Sequence, residues 1–213
     1  MQQMVYFDIH THHKPSRGVA IQNSYPENFM AEGGGFYSVG IHPWDAHLAS
    51  DATLQVLAAC AAHKQVVAIG EVGIDKHSQA SLAVQIELFK QQIALSESLH
   101  KPLVIHAVKA MDELLAMKRL LKPTQPWVIH GFRGNATVAK TYVDHGFYLS
   151  VGEKFQSDSL LAIPDNRLFL ETDESLLPIA DIYNKVAQEK KVPMEHLLQT
   201  IGTNISKVFP SLI

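Results

Sequence analysis

An α/β fold with a mainly parallel sheet, of the (β/α)8 TIM-barrel type and shortened in its early βα units, is what this sequence predicts, and three observations predict it. Short apolar runs alternate with stretches of helical periodicity along the whole chain. Eight such runs read as strands, the complement of a TIM-type barrel. Finally, the 213 residues contain no polar linker, internal repeat or low-complexity tract, so a single domain spanning 1–213 is expected.

In chain order, the predicted strands cover residues 4–9, 19–22, 36–41, 66–70, 102–105, 127–129, 147–151 and 167–170. The helical periodicity, with apolar residues at steps of three and four, predicts helices over 51–63, 82–99, 111–121, 136–145 and 179–190. Asn135 is placed to cap the fourth of these, and Pro193 suits the first turn of a C-terminal one. The chain is slightly short against the ~250 residues usual for such barrels. The shortage falls early, because Tyr25-Pro26 and the run Gly33-Gly34-Gly35 leave no room for a full crossover helix between the second and third strands.

Composition narrows the classes of function. The formal net charge of −3 gives no global cationic field to hold long nucleic acid, so an anionic substrate must be gripped locally. The lone cysteine, Cys60, has no partner for an internal disulfide, and the first residues lack a basic segment followed by a long apolar one, so a reduced, cytoplasmic protein is expected. No apolar stretch approaches the roughly 20 residues needed to cross a bilayer. No membrane association and no protein partner is deducible.

The chemistry lies in where polar residues fall. Asp8-Ile9-His10-Thr11-His12, Glu71, His106, His130 and Asp173 each follow on an apolar strand, and in a parallel barrel such strand ends meet on one rim. His10 and His12, one residue apart in extended chain, point to the same side and can reach one cation. Glu71 and Asp173 add the negative charge that a divalent ion requires. Six ligands exceed the needs of one tetrahedral ion and favour two, roughly 3.5–4 Å apart, able to lower the pKa of a shared water toward neutrality. Imidazole-rich ligation suits zinc, manganese or iron better than magnesium; Mg, Mn and Zn all stay open as the ion. Taken singly, His106 or His130 serves equally well as a strand-end hydrogen-bonding group, and Glu71 as a buried ion-pair partner. The coincidence of all six carries the metal reading, since burying them together is costly without a compensating cation. His13 points away from His12 in extended geometry, and His47, His63, His77, His100, His145 and His196 fall in helices or turns; all are left outside the ligand set.

These motifs resemble the TatD family of metal-dependent hydrolases, nearly end to end. The matching blocks are Asp8-Ile9-His10-Thr11-His12, Gly40-Ile41-His42-Pro43-Trp44, Ile69-Gly70-Glu71-Val72-Gly73-Ile74-Asp75, Lys101-Pro102-Leu103-Val104-Ile105-His106-Ala107, His130-Gly131-Phe132-Arg133-Gly134, Leu149-Ser150-Val151-Gly152 and Leu170-Glu171-Thr172-Asp173-Glu174-Ser175. The resemblance implies that His10, His12, Glu71 and Asp173 hold one ion and that Glu71, His106 and His130 hold the other, with Glu71 bridging. It makes Asp173 the base that takes a proton from the attacking water, and it places His42 near the substrate, as a phosphate donor or as a loop anchor. The chain departs from the pattern where Gly131 and Arg133 replace a cysteine and a serine, and where Val108, followed by Lys109, replaces an arginine. Arg133 suits a bidentate phosphate or carboxylate clamp, or equally a strand-end cap.

The resemblance implies a deoxyribonuclease that hydrolyses phosphodiester bonds at DNA ends or in short single strands; the chain's own Arg133, Lys109 and Lys154 are the local cations available to grip a terminal nucleotide. The alternative is hydrolysis of a small amide, ester or lactone, because the same ions polarise a carbonyl as readily as a phosphoryl group. A metal-stabilised accessory protein without turnover is the third reading.

Overall fold

The computed structural model describes residues 5–14 and 18–213. The strands are β1 (Phe7–Thr11), β2 (Val19–Ser24), β3 (Phe36–Val39), β4 (Val66–Asp75), β5 (Leu103–Val108), β6 (Trp127–Ile129), β7 (Tyr148–Val151) and β8 (Leu168–Leu170), and their order in the sheet follows their order in the chain. The helices are α1 (Asp51–Ala61), α2 (Leu82–Leu99), α3 (Met111–Leu121), α4 (Ala136–Asp144), α5 (Ser157–Ala162), α6 (Ile179–Lys190) and α7 (Met194–Val208). Every predicted strand is found, and α2, α3 and α6 have the predicted bounds. Residue 4 of the first predicted strand, and the N-terminal residues read for a leader, lie outside the described residues.

Three expectations need correction. Strands β1, β4 and β5 run further than their apolar cores, so His10, Glu71 and His106 lie inside strands and not after them. Burial continues through His10 and Glu71, and β5 keeps its pairing through the partly exposed His106, so apolar patterning does not mark the true strand end. The short helix α5 was not anticipated, because six residues are too few to show a helical period. Pro193 is the residue before α7, with extended backbone, and does not belong to its first turn.

The chain divides into two compact units, Met1–Gln22 with His130–Ile213, and Asn23–Ile129. In the first, β1 pairs in parallel with β2 and β7 with β8. The backbone just past β8 joins β1: the Asp173 amide donates to the His10 carbonyl at 2.9 Å, and the His12 amide to the Asp173 carbonyl at 3.1 Å. Beneath lies a fully buried core that includes Phe147, Phe169, Tyr183, Ile201 and Phe209. The Tyr183 hydroxyl donates to the Phe7 carbonyl and accepts from the Phe7 amide, both at 3.1 Å, so α6 satisfies the start of β1. Asn135 caps α4 as expected, its side chain accepting from the Val138 amide at 3.0 Å.

In the second unit, β3, β4, β5 and β6 pair in parallel in that order. Helix α2, capped by Ser81, turns Gln85, Leu88, Phe89, Gln92, Ile93 and Ser96 inward at helical spacing. Its two buried glutamines act as substitute strands. The Gln92 side-chain amide bonds both the amide (2.8 Å) and the carbonyl (3.1 Å) of Ile41, and Gln85 does the same for Asp75 at 2.8 and 3.0 Å. Buried main-chain groups at Ile41, past the end of β3, and at Asp75, on the edge of β4 not paired to β5, are thus satisfied, which holds His42 and Asp75 in place. After β2, the chain contains only a three-residue 3₁₀ helix, Pro26–Asn28, before β3, as the proline and glycines require.

Candidate metal centre

In the second unit the site grows from the length of β4. Successive residues of a strand point to opposite faces, so Glu71, Gly73 and Asp75 share one. Gly73 pairs with His106 of β5 at a φ of +135°, and a Cβ there would collide with the His106 carbonyl oxygen. Only glycine lets the two strands approach so closely at this point. Glu71 Oε1 is 2.7 Å from His106 Nδ1 and 3.3 Å from His42 Nε2. Ligand atoms of His42, Glu71 and His106 all lie within 4.8 Å of one another.

The other edge of the His106 ring meets Asp75, whose Oδ2 is 3.1 Å from Nε2 and also accepts from Trp44 Nε1 at 2.7 Å. Burial raises the Asp75 pKa. The His77 amide, Trp44 and His106 outweigh that and hold the carboxyl below its ordinary value. His42 anchors the turn, its Nδ1 accepting from the Trp44 amide at 3.1 Å, while Nε2 faces Glu71. Nearby, burial first, and then Asp45 and Glu71, push the Tyr25 hydroxyl up to about 12.

The first unit holds a second cluster. His10 Nε2 and His12 Nε2 lie 3.7 and 3.6 Å from the same oxygen, Asp173 Oδ1. The two imidazoles do share a side of the chain, with ring centroids 5.1 Å apart. His130 lies against His10 at 4.2 Å between rings, and its Nδ1 is 3.5 Å from Glu171 Oε1. His130, Glu171 and Asp173 again place ligand atoms within 4.8 Å. Asp173 has a φ of +56°, a left-handed conformation that aspartate tolerates better than most side chains, and the cross-strand bonds to β1 hold it there. Below, Asp8 accepts from the Thr172 amide at 3.0 Å and hydroxyl at 2.6 Å; burial outweighs these bonds and pushes its carboxyl up to about 7.

A cavity of about 530 Å³ opens beside this cluster, lined among others by Arg133, Lys154, Glu171 and Asp173. Arg133 is more than half exposed, with Nη2 3.8 Å from Asp173 Oδ2, so its guanidinium stands beside the cluster in the lining of the cavity. Lys109 is exposed. His13, left outside the ligand set, turns its Nε2 to the Glu174 carbonyl at 3.3 Å.

The donors suit a divalent cation: imidazole nitrogens and carboxylate oxygens, largely buried and crowded at distances that cost free energy unless a positive charge compensates them. All six predicted ligands lie in these clusters. Sequence reasoning missed Glu171 and Asp75. Both stand two or four residues along an extended chain from a residue that was found, and period-two spacing from Asp173 and from Glu71 is the signal that points to them.

Parallel strands alternating with helices, carrying two histidine–carboxylate clusters, define a metal-dependent hydrolase of the α/β class. The family model described as TatD related DNase matches residues 23–210, and the chain belongs to that family. It is 28% identical to an uncharacterised metal-dependent hydrolase of Bacillus subtilis, YabD, over 82% of this chain and 77% of that one. It is 30% identical to a Klebsiella pneumoniae protein named 3'-5' ssDNA/RNA exonuclease TatD, over 78% of this chain and 68% of the relative. Among solved structures, the TatD homologue YJJV of Escherichia coli superposes with a TM-score of 0.81 at 21% identity, covering 96% of this chain and 98% of that one. That likeness bears out the TIM-barrel class expected from the sequence. Among the described residues, no helix is long and apolar enough to cross a membrane.

Proposed function

We propose that this chain, working as one domain, is a deoxyribonuclease that cleaves phosphodiester bonds at DNA ends or in short single strands with two divalent ions. The residues that would hold them in this reading are His10, His12, Glu71, His106, His130 and Asp173. The observation that carries it is the pairing of an exposed guanidinium, Arg133, with the Asp173 carboxylate that faces both His10 and His12. Such a cation beside a hydrolytic carboxylate suits a substrate that brings its own negative charge. The Klebsiella relative's name points the same way. A cytoplasmic location belongs to the same proposal and is supported by the free thiol of Cys60.

When bound, the ions polarise the phosphoryl oxygen and lower the pKa of a water. The protein's residues do the rest. Asp173 accepts the proton of the attacking water, its carboxylate being next to the ligands and open to the cavity. Arg133 grips nonbridging phosphate oxygens, aided by Lys154 on the same cavity. His42, fixed by its bond from the Trp44 amide, presents Nε2 beside Glu71 to donate to a phosphate oxygen.

The test is a substrate panel. Labelled single- and double-stranded oligonucleotides, and a set of small esters, amides and lactones, are incubated with the protein in magnesium and in manganese. Shortening of oligonucleotides from an end supports the reading, and turnover confined to the carbonyl compounds replaces it with the small-molecule hydrolase. DNA cleavage that persists at the wild-type rate in Asp173→Ala removes the assigned base.

A further inference from the structure

An aromatic ring stands beside the candidate ligands with no part in holding the core. Trp44 leaves 57% of its surface exposed, unlike Trp127, which is fully buried. Its indole is nonetheless fixed from two sides. Nε1 donates to Asp75 Oδ2 at 2.7 Å, the oxygen that also meets His106 Nε2, and the ring stands edge-on to His42 with centroids 4.8 Å apart. The His106 ring is 6.2 Å away. The Trp44 amide in turn bonds His42 Nδ1, so side chain and backbone are both tied to this cluster. A large exposed apolar face is ordinarily left to move; here the hydrogen bond to Asp75 spends the indole's only donor to orient it.

We infer that Trp44 is a stacking platform for a nucleobase of the bound strand, which positions the neighbouring phosphodiester toward the His42–Glu71–His106 cluster. The inference rests on the nucleic-acid reading above and adds the part of the substrate that this cluster selects. A π face accepts any base, so the platform gives affinity for a base without preference among bases, as binding to strand ends of arbitrary sequence demands. It also explains why an acidic chain needs few cations, because stacking supplies affinity that phosphate contacts do not.

The experiment measures binding of short single-stranded oligonucleotides with phosphorothioate linkages, which resist cleavage, to the manganese-loaded protein. One set is intact, and others carry an abasic residue at one or the other terminus. Fluorescence anisotropy of an end-labelled strand gives the affinity in every variant, and in the wild type intrinsic tryptophan fluorescence also follows Trp44, since Trp127 is shielded in the core. Intact strands are expected to quench it and to bind about tenfold more tightly than those abasic at the engaged end. Trp44→Ala should lose that tenfold advantage, and Trp44→Phe, which keeps a π face without the Nε1 donor, should retain most of it. Equal affinity of wild type for intact and abasic strands, or an unchanged preference in Trp44→Ala, overturns the platform while leaving the nuclease reading intact. Absence of oligonucleotide binding by the wild type, with turnover of carbonyl substrates, overturns both.

Discussion

The two units hold their candidate ligands by different means. In Asn23–Ile129, the candidate ligands Glu71 and His106 lie within long paired strands, and a side-chain carboxylate, Asp75, grips the far edge of His106. In the other unit, His12 and Asp173 lie past the ends of β1 and β8, and main-chain hydrogen bonds between these two segments fix them. A histidine in a strand has its Cα placed by the ladder but its ring left to rotate, so a carboxylate has to choose its orientation. A ligand in a turn has the opposite difficulty: its backbone is what must be held. This difference predicts that the first unit is sensitive at the ligands themselves, whereas the second is sensitive one layer further out.

The largest expected effect is at Asp173. Asp173→Ala should lower kcat/KM on the oligonucleotide substrate by roughly 100- to 10,000-fold, the range for loss of a general base, with circular dichroism unchanged. Removing the metal with a chelator should abolish activity in the wild type and lower Tm, and restoring manganese should raise Tm in proportion to the logarithm of its concentration once above Kd.

Next in size is the test that separates the two supports. Asp75→Asn should weaken metal binding by about 10- to 100-fold, as loss of a ligand-orienting carboxylate does, measured by isothermal titration. Glu171→Gln, whose carboxylate stands at the longer distance of 3.5 Å from His130, should cost less. Equal losses would show that both units orient their histidines alike and break the comparison. Smaller again, Arg133→Ala should raise KM for oligonucleotides about tenfold with kcat little changed, and the wild-type advantage should shrink with added salt, because this guanidinium is exposed and screened.

The smallest effect concerns stability against acid, with one carboxylate in each unit. Glu97 gains from burial a tendency to rise, but accepting from the amide and hydroxyl of Thr124 and the amide of Gln125 lowers its pKa overall. Asp165 is likewise lowered despite burial, by Lys190 at 3.1 Å and His196 at 3.4 Å. A carboxylate with a depressed folded pKa contributes stability above its unfolded pKa and loses it as pH falls through the folded one. Glu97→Gln and Asp165→Asn should therefore lower Tm modestly at pH 7 and approach the wild type as pH falls through the depressed folded pKa values, in thermal melts over an acid pH series.

The order of the strands, the longer helices and the six candidate ligand residues were legible in the sequence, because each depends on local patterning, whereas the six-residue α5 is too short to show a period. Apolar runs mark buried strands, steps of three and four mark helices, and polar residues following an apolar run stand out against it. His10 and His12 show this most clearly, since spacing alone puts both rings on one side of the chain.

Other features were decided by tertiary structure. That β4 continues to Asp75 depends on pairing with β5 and on the buried Gln85, neither of which leaves a mark in the residues of β4 itself. The grip of Asp75 on His106, the approach of Glu171 to His130 and the fixing of Trp44 all join residues far apart in the chain. A hydrogen bond depends on distance and direction in space, and these exist only once the strands have paired. Thus the sequence by itself determined which donors were available and on which strands, while the packed fold decided which donor faces which and what holds it there.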